Sequence, residues 1–117
     1  MYTILGDFMG IGIDIVENKR IEKSISDYFL NFVLSKDELE IYNNKPSKKK
    51  KVEFLAGRFA VKEAIIKAMS GVELPYRNQL VVLNDENGKP FVNYKNYNIL
   101  ISISHEQNYA VGIAYLI

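Results

Sequence analysis

The chain has 117 residues, 48% of them hydrophobic and 25% charged, a composition that supports one hydrophobic core and one domain rather than a disordered chain. A formal net charge of +1 excludes a strong overall field for nucleic acid or a membrane surface, so electrostatic recognition has to come from local patches. The absence of cysteine excludes disulfides and thiolate metal sites and leaves oxygen donors as the natural metal chemistry. Residues 1–10 show no basic segment ahead of an apolar run, and no apolar stretch reaches the ~20 residues of a spanning helix, so a cytoplasmic protein is expected.

Residues 10–17, GIGIDIVE, alternate strictly and predict a strand. Ile11, Ile13 and Ile15 share one face, expected to be the buried one, while Gly12, Asp14 and Val16 share the other. From about residue 18 to 34 the pattern is helical but patchy, with Ile21, Ile25, Tyr28, Phe29 and Phe32 expected to face inward. Ser35 followed by Glu38 has capping-box spacing and predicts a short helix to about Tyr42, broken by Pro46 and Ser47. The strongest helical signal covers 48–70: it is proline-free and ends at Ser70-Gly71, with Gly71 as the residue just past the cap. Phe54, Leu55, Phe59, Val61, Ile65, Ala68 and Met69 form its apolar face, with Lys62 and Glu63 towards the edge. Strand-like runs follow at 80–84, 91–94, 100–104 and 109–117, and Asn87-Gly88 marks a hairpin turn between the first two. The last run sets Tyr109, Val111, Ile113 and Tyr115 against Ala110, Gly112 and Ala114, a small-residue face suited to close approach by a helix or strand. Strand, helices, then strands predicts an α+β fold with an antiparallel sheet around a long helix, in one domain over 1–117.

Asp14 on a strand and Glu63 in mid-helix are the carboxylates with chemical interest. If the helix crosses the strand, both reach one hard cation of the magnesium kind, which takes one or two carboxylates plus waters and phosphate oxygens. Lys62 and Lys67 then stand where phosphate charge would be met. Taken alone, Glu63 and Lys67 at i, i+4 most often describe a surface ion pair and nothing else. His105, the only histidine, ends the Ser102-Ile103-Ser104 run; a lone histidine there is more often a hydrogen-bonded structural residue than a catalyst. A Ser/His hydrolase is set aside because no G-x-S-x-G elbow is present and neighbours on one strand point opposite ways. Gly10-x-Gly12 opens a strand instead of following one, which excludes a dinucleotide fingerprint. Lys48–Lys51 oppose the helix dipole at its N-terminus, and a charge run kept there points to an acidic partner.

Three motifs in order, GIGIDIVENKRI at 10–21, FLAGRFAVKEAIIKA at 54–68 and SISH at 102–105 followed by YAVGIAY, with NGKP at 87–90, resemble the holo-acyl-carrier-protein synthase family of 4'-phosphopantetheinyl transferases. The resemblance covers nearly the whole chain from about Met9, leaving residues 1–8 as an N-terminal extension relative to the family. It implies that Asp14 and Glu63 are Mg²⁺ ligands and, with Lys67, the catalytic residues. Lys62 and Lys67 would contact coenzyme A phosphates, Ser104 and His105 would lie at the adenosine 3'-phosphate, and Arg58 on the nucleotide side. Lys19, Arg20 and Lys23, together with Lys50 and Lys51, would dock an acidic acyl carrier protein. The expected assembly is a homotrimer with active sites between subunits, and the expected reaction moves the 4'-phosphopantetheine arm onto a carrier serine. Glu63, through a bound water, is the assignment for the general base.

The chain departs from the family where Gly-Thr-Gly usually follows the central motif, having Met69-Ser70-Gly71-Val72 instead. It also has Phe29-Leu30-Asn31-Phe32 in place of Phe-x-x-Arg. A reading from a different class is a non-catalytic basic adaptor that uses Lys48–Lys51 to bind an acidic protein or RNA; the strand aspartate and helix glutamate speak against it, since an adaptor needs neither.

Overall fold

The computed structural model describes residues 9–117; residues 1–8, expected as an N-terminal extension, lie outside the described part. Strand β1 (Gly10–Glu17) leads into three short helices, α1 (Asn18–Ser24), α2 (Asp27–Val33) and α3 (Lys36–Asn43), and then into the long helix α4 (Lys48–Ala68). A short 3-10 helix (Arg77–Gln79) precedes the hairpin β2 (Val81–Asn84) and β3 (Pro90–Asn93), and the chain closes with β4 (Ile99–His105) and β5 (Tyr109–Leu116). β1, β5 and β4 form a three-stranded antiparallel sheet in that order, and β2–β3 form a separate two-stranded ribbon. The expected α+β architecture around a long helix is what the chain adopts.

The patchy 18–34 segment is two helices because Ile25 and Ser26 are extended and Ser26 restarts the helix, its hydroxyl accepting from Phe29 N at 3.0 Å. The break resets the helical phase. Ile21 is buried as expected and Ile25 and Phe29 are half-buried, but Tyr28 and Phe32 face outward and Val33 and Leu34 take their place in the core. In α3 the capping box closes as expected, Ser35 N donating to Glu38 Oε1 at 2.8 Å and Glu38 N to Ser35 Oγ at 3.3 Å. Helix α4 ends at Ala68 with Met69 as its cap, so Gly71, at φ +83°, sits one residue further out than expected. In the β2–β3 turn Gly88 is also left-handed, and the Asp85 carboxylate accepts from the backbone of Asn87 and Lys89, both at 2.9 Å.

The face of β1 turned to the core is the reverse of the one expected. Ile11, Ile13 and Ile15 are about 60% exposed (57%, 59% and 62%), while Gly12 and Val16 are buried. The reason is close approach: a Cβ on Gly10 or Gly12 would overlap the carbonyl oxygens of Ala68 and Ala64, and one on Gly112 would overlap the Val61 backbone. Bare strand backbone lets α4 lie directly on β1 and β5, closer than an isoleucine face would allow. Ala110 and Ala114 complete the small face of β5, as its alternation predicts.

Around α4 the core divides in two. Its C-terminal half, with Val61, Ala64, Ile65, Ala68 and Met69, packs against Leu80, Val82, Val92, Ile99, Ile101 and Leu116. Its N-terminal half, with Phe54, Leu55, Ala56 and Ala60, packs against Ile21, Val33, Leu34 and Tyr42 from the short helices. The helix is thus buried nearly all round instead of on one stripe. Gly12→Ala is expected to lower stability by about 1–3 kcal/mol through overpacking, measured as a reduced urea midpoint; an unchanged midpoint would contradict the strand–helix contact.

Candidate active site

The inverted face of β1 decides where Asp14 points. As the residue between Gly12 and Val16 it lies on the α4 side of an edge strand, and it lines a cleft of about 400 Å³ together with Glu63, Glu17 and Arg20. Phe29 and Phe59, ring centroids 5.8 Å apart, supply apolar wall to the same cleft. The two candidate carboxylates therefore come together, as the sequence predicts. Their cationic partners differ from expectation: Glu63 and Lys67 do not pair along the helix. Lys67 Nζ crosses to β1, donating to the Ile13 carbonyl at 2.8 Å and to Asp14 Oδ1 at 3.2 Å. Glu63 is held by Arg77 from the 3-10 helix through both carboxylate oxygens. Arg77 lies in the loop after α4, where nothing in the sequence singles it out.

The donor set suits magnesium. Asp14 and Glu63 are hard oxygen anions whose side chains are 21% and 22% exposed, so both keep a face to the cleft. Among the described residues no group of three or more His, Asp or Glu is clustered for a metal. Two carboxylates without a closed cage fit a cation that retains waters and takes phosphate oxygens, and not a structural ion.

A second cleft, of about 470 Å³, lies at the far end of α4 and is lined by Lys45, Lys50, Glu53, Phe54, Arg58, Asn84 and His105. His105 packs over Gly57, where an added Cβ would meet its Cε1 at 2.7 Å. Partial desolvation there holds the imidazole below its ordinary value, with Glu53 opposing and Arg58 and Lys50 adding to the fall. Arg58 is buried, its guanidinium 4.3 Å from the Phe54 ring centroid. Its Nη2 donates to Asn84 Oδ1 at 2.5 Å and the Val82 carbonyl at 3.2 Å, while its buried Nε has no partner among the described residues. Desolvation lowers the guanidinium from its usual value, against the opposing charge of Glu38. The two clefts share no lining residue.

One expected nucleotide contact, Lys62, is corrected by these positions. Lys62 is fully buried and points into the protein, donating to Glu38 Oε1 at 2.6 Å and the Val33 carbonyl at 2.7 Å, so it reaches no phosphate. Burial pulls its ammonium down to about 8 against the Glu38 charge and hydrogen bond, which pull it up. The Glu38 carboxylate also accepts from Val82 N at 2.9 Å and from the Ser35 backbone, tying α3, α4 and β2 together. The capping-box spacing was the visible signal for Glu38; its second role as counter-ion to a buried lysine was not visible. Ser104, with Ser102, is exposed on the sheet face turned away from α4, and it does not line the His105 cleft.

The expected docking residues lie on the surface. Arg20 lines the Asp14 cleft, Lys19 lines a neighbouring groove with Lys48 and Lys49, and Lys23 is exposed in the last turn of α1. Lys50 borders the His105 cleft, 3.6 Å from Glu53, and Lys51 sits over the Tyr42 ring at 5.7 Å.

Residues 10–114 match the family described as the 4'-phosphopantetheinyl transferase superfamily. A holo-[acyl-carrier-protein] synthase of Mycoplasma mycoides subsp. mycoides is 50% identical over 111 residues, covering 89% of this chain and 90% of the relative. One from Geobacillus sp. is 44% identical over 111 residues, covering 89% and 92%. The crystal structure of the Bacillus anthracis holo-(acyl-carrier-protein) synthase, in complex with CoA (3',5'-ADP), superposes with a TM-score of 0.85 at 36% identity, covering 93% of this chain and 96% of that one. With the family match over residues 10–114, the sequence identity and the fold in agreement, the chain belongs to the 4'-phosphopantetheinyl transferase superfamily.

Proposed function

We propose that this chain is a holo-[acyl-carrier-protein] synthase, moving the 4'-phosphopantetheine arm of coenzyme A onto a serine of an apo-acyl carrier protein. The observation that carries the reading within the molecule is the joint presence of Asp14 and Glu63 in one cleft. In the reaction the carrier serine oxygen bonds to the β-phosphorus of coenzyme A, the bond from that phosphorus to the bridging oxygen breaks, and adenosine 3',5'-bisphosphate leaves. Such a transfer asks the protein for positioning and charge neutralisation more than for covalent chemistry. Asp14 and Glu63 would hold Mg²⁺, which when bound neutralises charge on the pyrophosphate. Lys67, whose Nζ is already at the Asp14 carboxylate, adds a positive charge at the same place. The serine proton is assigned to Glu63 through a bound water. Arg58, Lys50 and His105 form the basic end for the 3'-phosphate, with Arg58 Nε, unpartnered among the described residues, as a spare donor.

The two clefts lie apart on one chain, while one coenzyme A has to meet both. A homotrimer in which one subunit supplies the Asp14 cleft and its neighbour the His105 cleft resolves this. The open isoleucine face of the sheet, continued by Leu100 at 53% exposure, Ile113 at 38% and Tyr115 at 37%, is the surface we assign to subunit contact. No helix among the described residues is long and apolar enough to cross a membrane, and we place the reaction in the cytoplasm. The basic rim from Lys19, Arg20, Lys23, Lys50 and Lys51 is the docking surface for an acidic carrier.

Asp14→Ala and Glu63→Ala should each lower transfer at least about a hundredfold while leaving the circular-dichroism melt cooperative, and should abolish the magnesium dependence of coenzyme A binding in calorimetry. Turnover near wild type in either variant would remove that residue from the site. Co-expression of Asp14→Ala with His105→Ala chains should restore activity that neither variant shows alone, through mixed sites; no recovery would mean that each chain is self-sufficient. Exchanging Lys19 and Lys23, which lie outside the His105 cleft, for Glu should raise the KM for the carrier several-fold more than that for coenzyme A, and equal changes would take the patch out of carrier docking.

A further inference from the structure

Glu63 is not free to receive a cation as it stands. Arg77 Nε and Nη2 each hold one of its carboxylate oxygens, Nη2 to Oε1 at 3.2 Å, in the forked geometry by which a guanidinium grips a carboxylate. The Arg77 guanidinium carbon lies 4.9 Å from the centroid of the Phe32 ring, and the Arg77 side chain is 27% exposed, so the pair is neither loose nor sealed. The 3-10 helix that carries it is pinned to α2 by Asn78 Nδ2, which donates to the Asn31 carbonyl at 3.0 Å. Gln79 pins it internally by accepting from Tyr76 N at 3.0 Å. Asp14, by contrast, shares its single lysine with a backbone carbonyl.

A divalent cation bound to Glu63 would sit within a few ångströms of the guanidinium, where two like charges repel and compete for the same oxygens. We infer that Arg77 is a latch on the cation site: it holds Glu63 while no cation is bound, yields a carboxylate oxygen when one arrives, and turns its freed charge to the phosphates of coenzyme A. This rests on the reading of Asp14 and Glu63 as cation ligands. The arrangement couples the two ligands. Phosphate offers Arg77 a new partner and frees Glu63, so coenzyme A strengthens cation binding, and by reciprocity the cation strengthens coenzyme A binding. The Phe32 ring is the surface against which Arg77 rests.

The test is manganese binding to the full chain without coenzyme A, followed by electron paramagnetic resonance, beside calorimetry of coenzyme A at saturating magnesium. R77Q should bind manganese about five- to tenfold more tightly than wild type and coenzyme A more weakly by a similar factor. R77K, which keeps the charge without the fork, should fall between, and it carries the test if R77Q loses its cooperative melt. Manganese affinity in R77Q that is unchanged or weaker, while E63Q binds less than wild type, overturns the latch and leaves the metal ligands standing. The latch is likewise overturned if manganese alone binds neither wild type nor R77Q. E63Q binding manganese as wild type does overturns the ligand assignment, and the latch with it.

Discussion

The arrangement depends on a backbone-to-backbone contact. Gly10 and Gly12 on β1, and Gly112 on β5, present no side chain to α4, and the carbonyl oxygens of Ala64 and Ala68 fill the space where a Cβ on β1 would be. This contact sets the depth at which the long helix lies on the sheet. It turns the helix-facing side of β1 into the glycine side, carries Asp14 to the edge of α4, and leaves the isoleucines outside. One steric constraint thus explains both the meeting of the carboxylates and the apolar face left open on the sheet.

Charge within the core follows from how the cations of α4 are solvated. Lys62 and Arg58 lie on a helix buried almost all round, and each is accommodated by partners from other elements: Glu38 and the Val33 carbonyl for the first, Asn84 and the Val82 carbonyl for the second. An ionised side chain without water needs such compensation, and the Glu38 carboxylate, accepting from Ser35, Lys62 and Val82, is fully engaged. A similar node ties the loop after α4 to the strand ribbon. Glu73 accepts from Lys95 at 2.6 Å, from Tyr97 at 3.0 Å and from Tyr94, and these hydrogen bonds hold its carboxyl down to about 2. These nodes fix the connection from which Arg77 reaches the carboxylate cleft.

The lysine run at the start of α4 remains costly to the helix itself. No acidic residue stands in its first turn, and two ion pairs among the described residues offset the repulsion: Lys48 with Glu22 at 3.2 Å and Lys50 with Glu53 at 3.6 Å. Exposed pairs of this kind contribute little, which leaves most of the charge available to an acidic surface. The lysine run and the carboxylate cleft are separate parts of the molecule, since none of Lys48, Lys49, Lys50 and Lys51 lines that cleft.

Local rules of the chain determined much of this. Alternation located β1 and β5, the Ser35–Glu38 spacing located α3, the Asn87-Gly88 pair located the hairpin, and the motifs carrying Asp14, Glu63, Lys67, Arg58 and His105 marked both clefts. All of these signals live within a few residues of sequence. What tertiary structure alone decided were questions of facing: which side of β1 is covered, that Lys62 turns inward to Glu38 while Lys67 crosses to Asp14, and that Ser104 and His105 leave β4 on opposite sides. The Arg77–Glu63 pair belongs to the same class, because it joins a mid-helix residue to a loop residue fourteen positions later. Side-chain direction at a strand or a fully buried helix depends on which neighbour can approach most closely, and that distance is a property of the packed pair, not of either segment read alone.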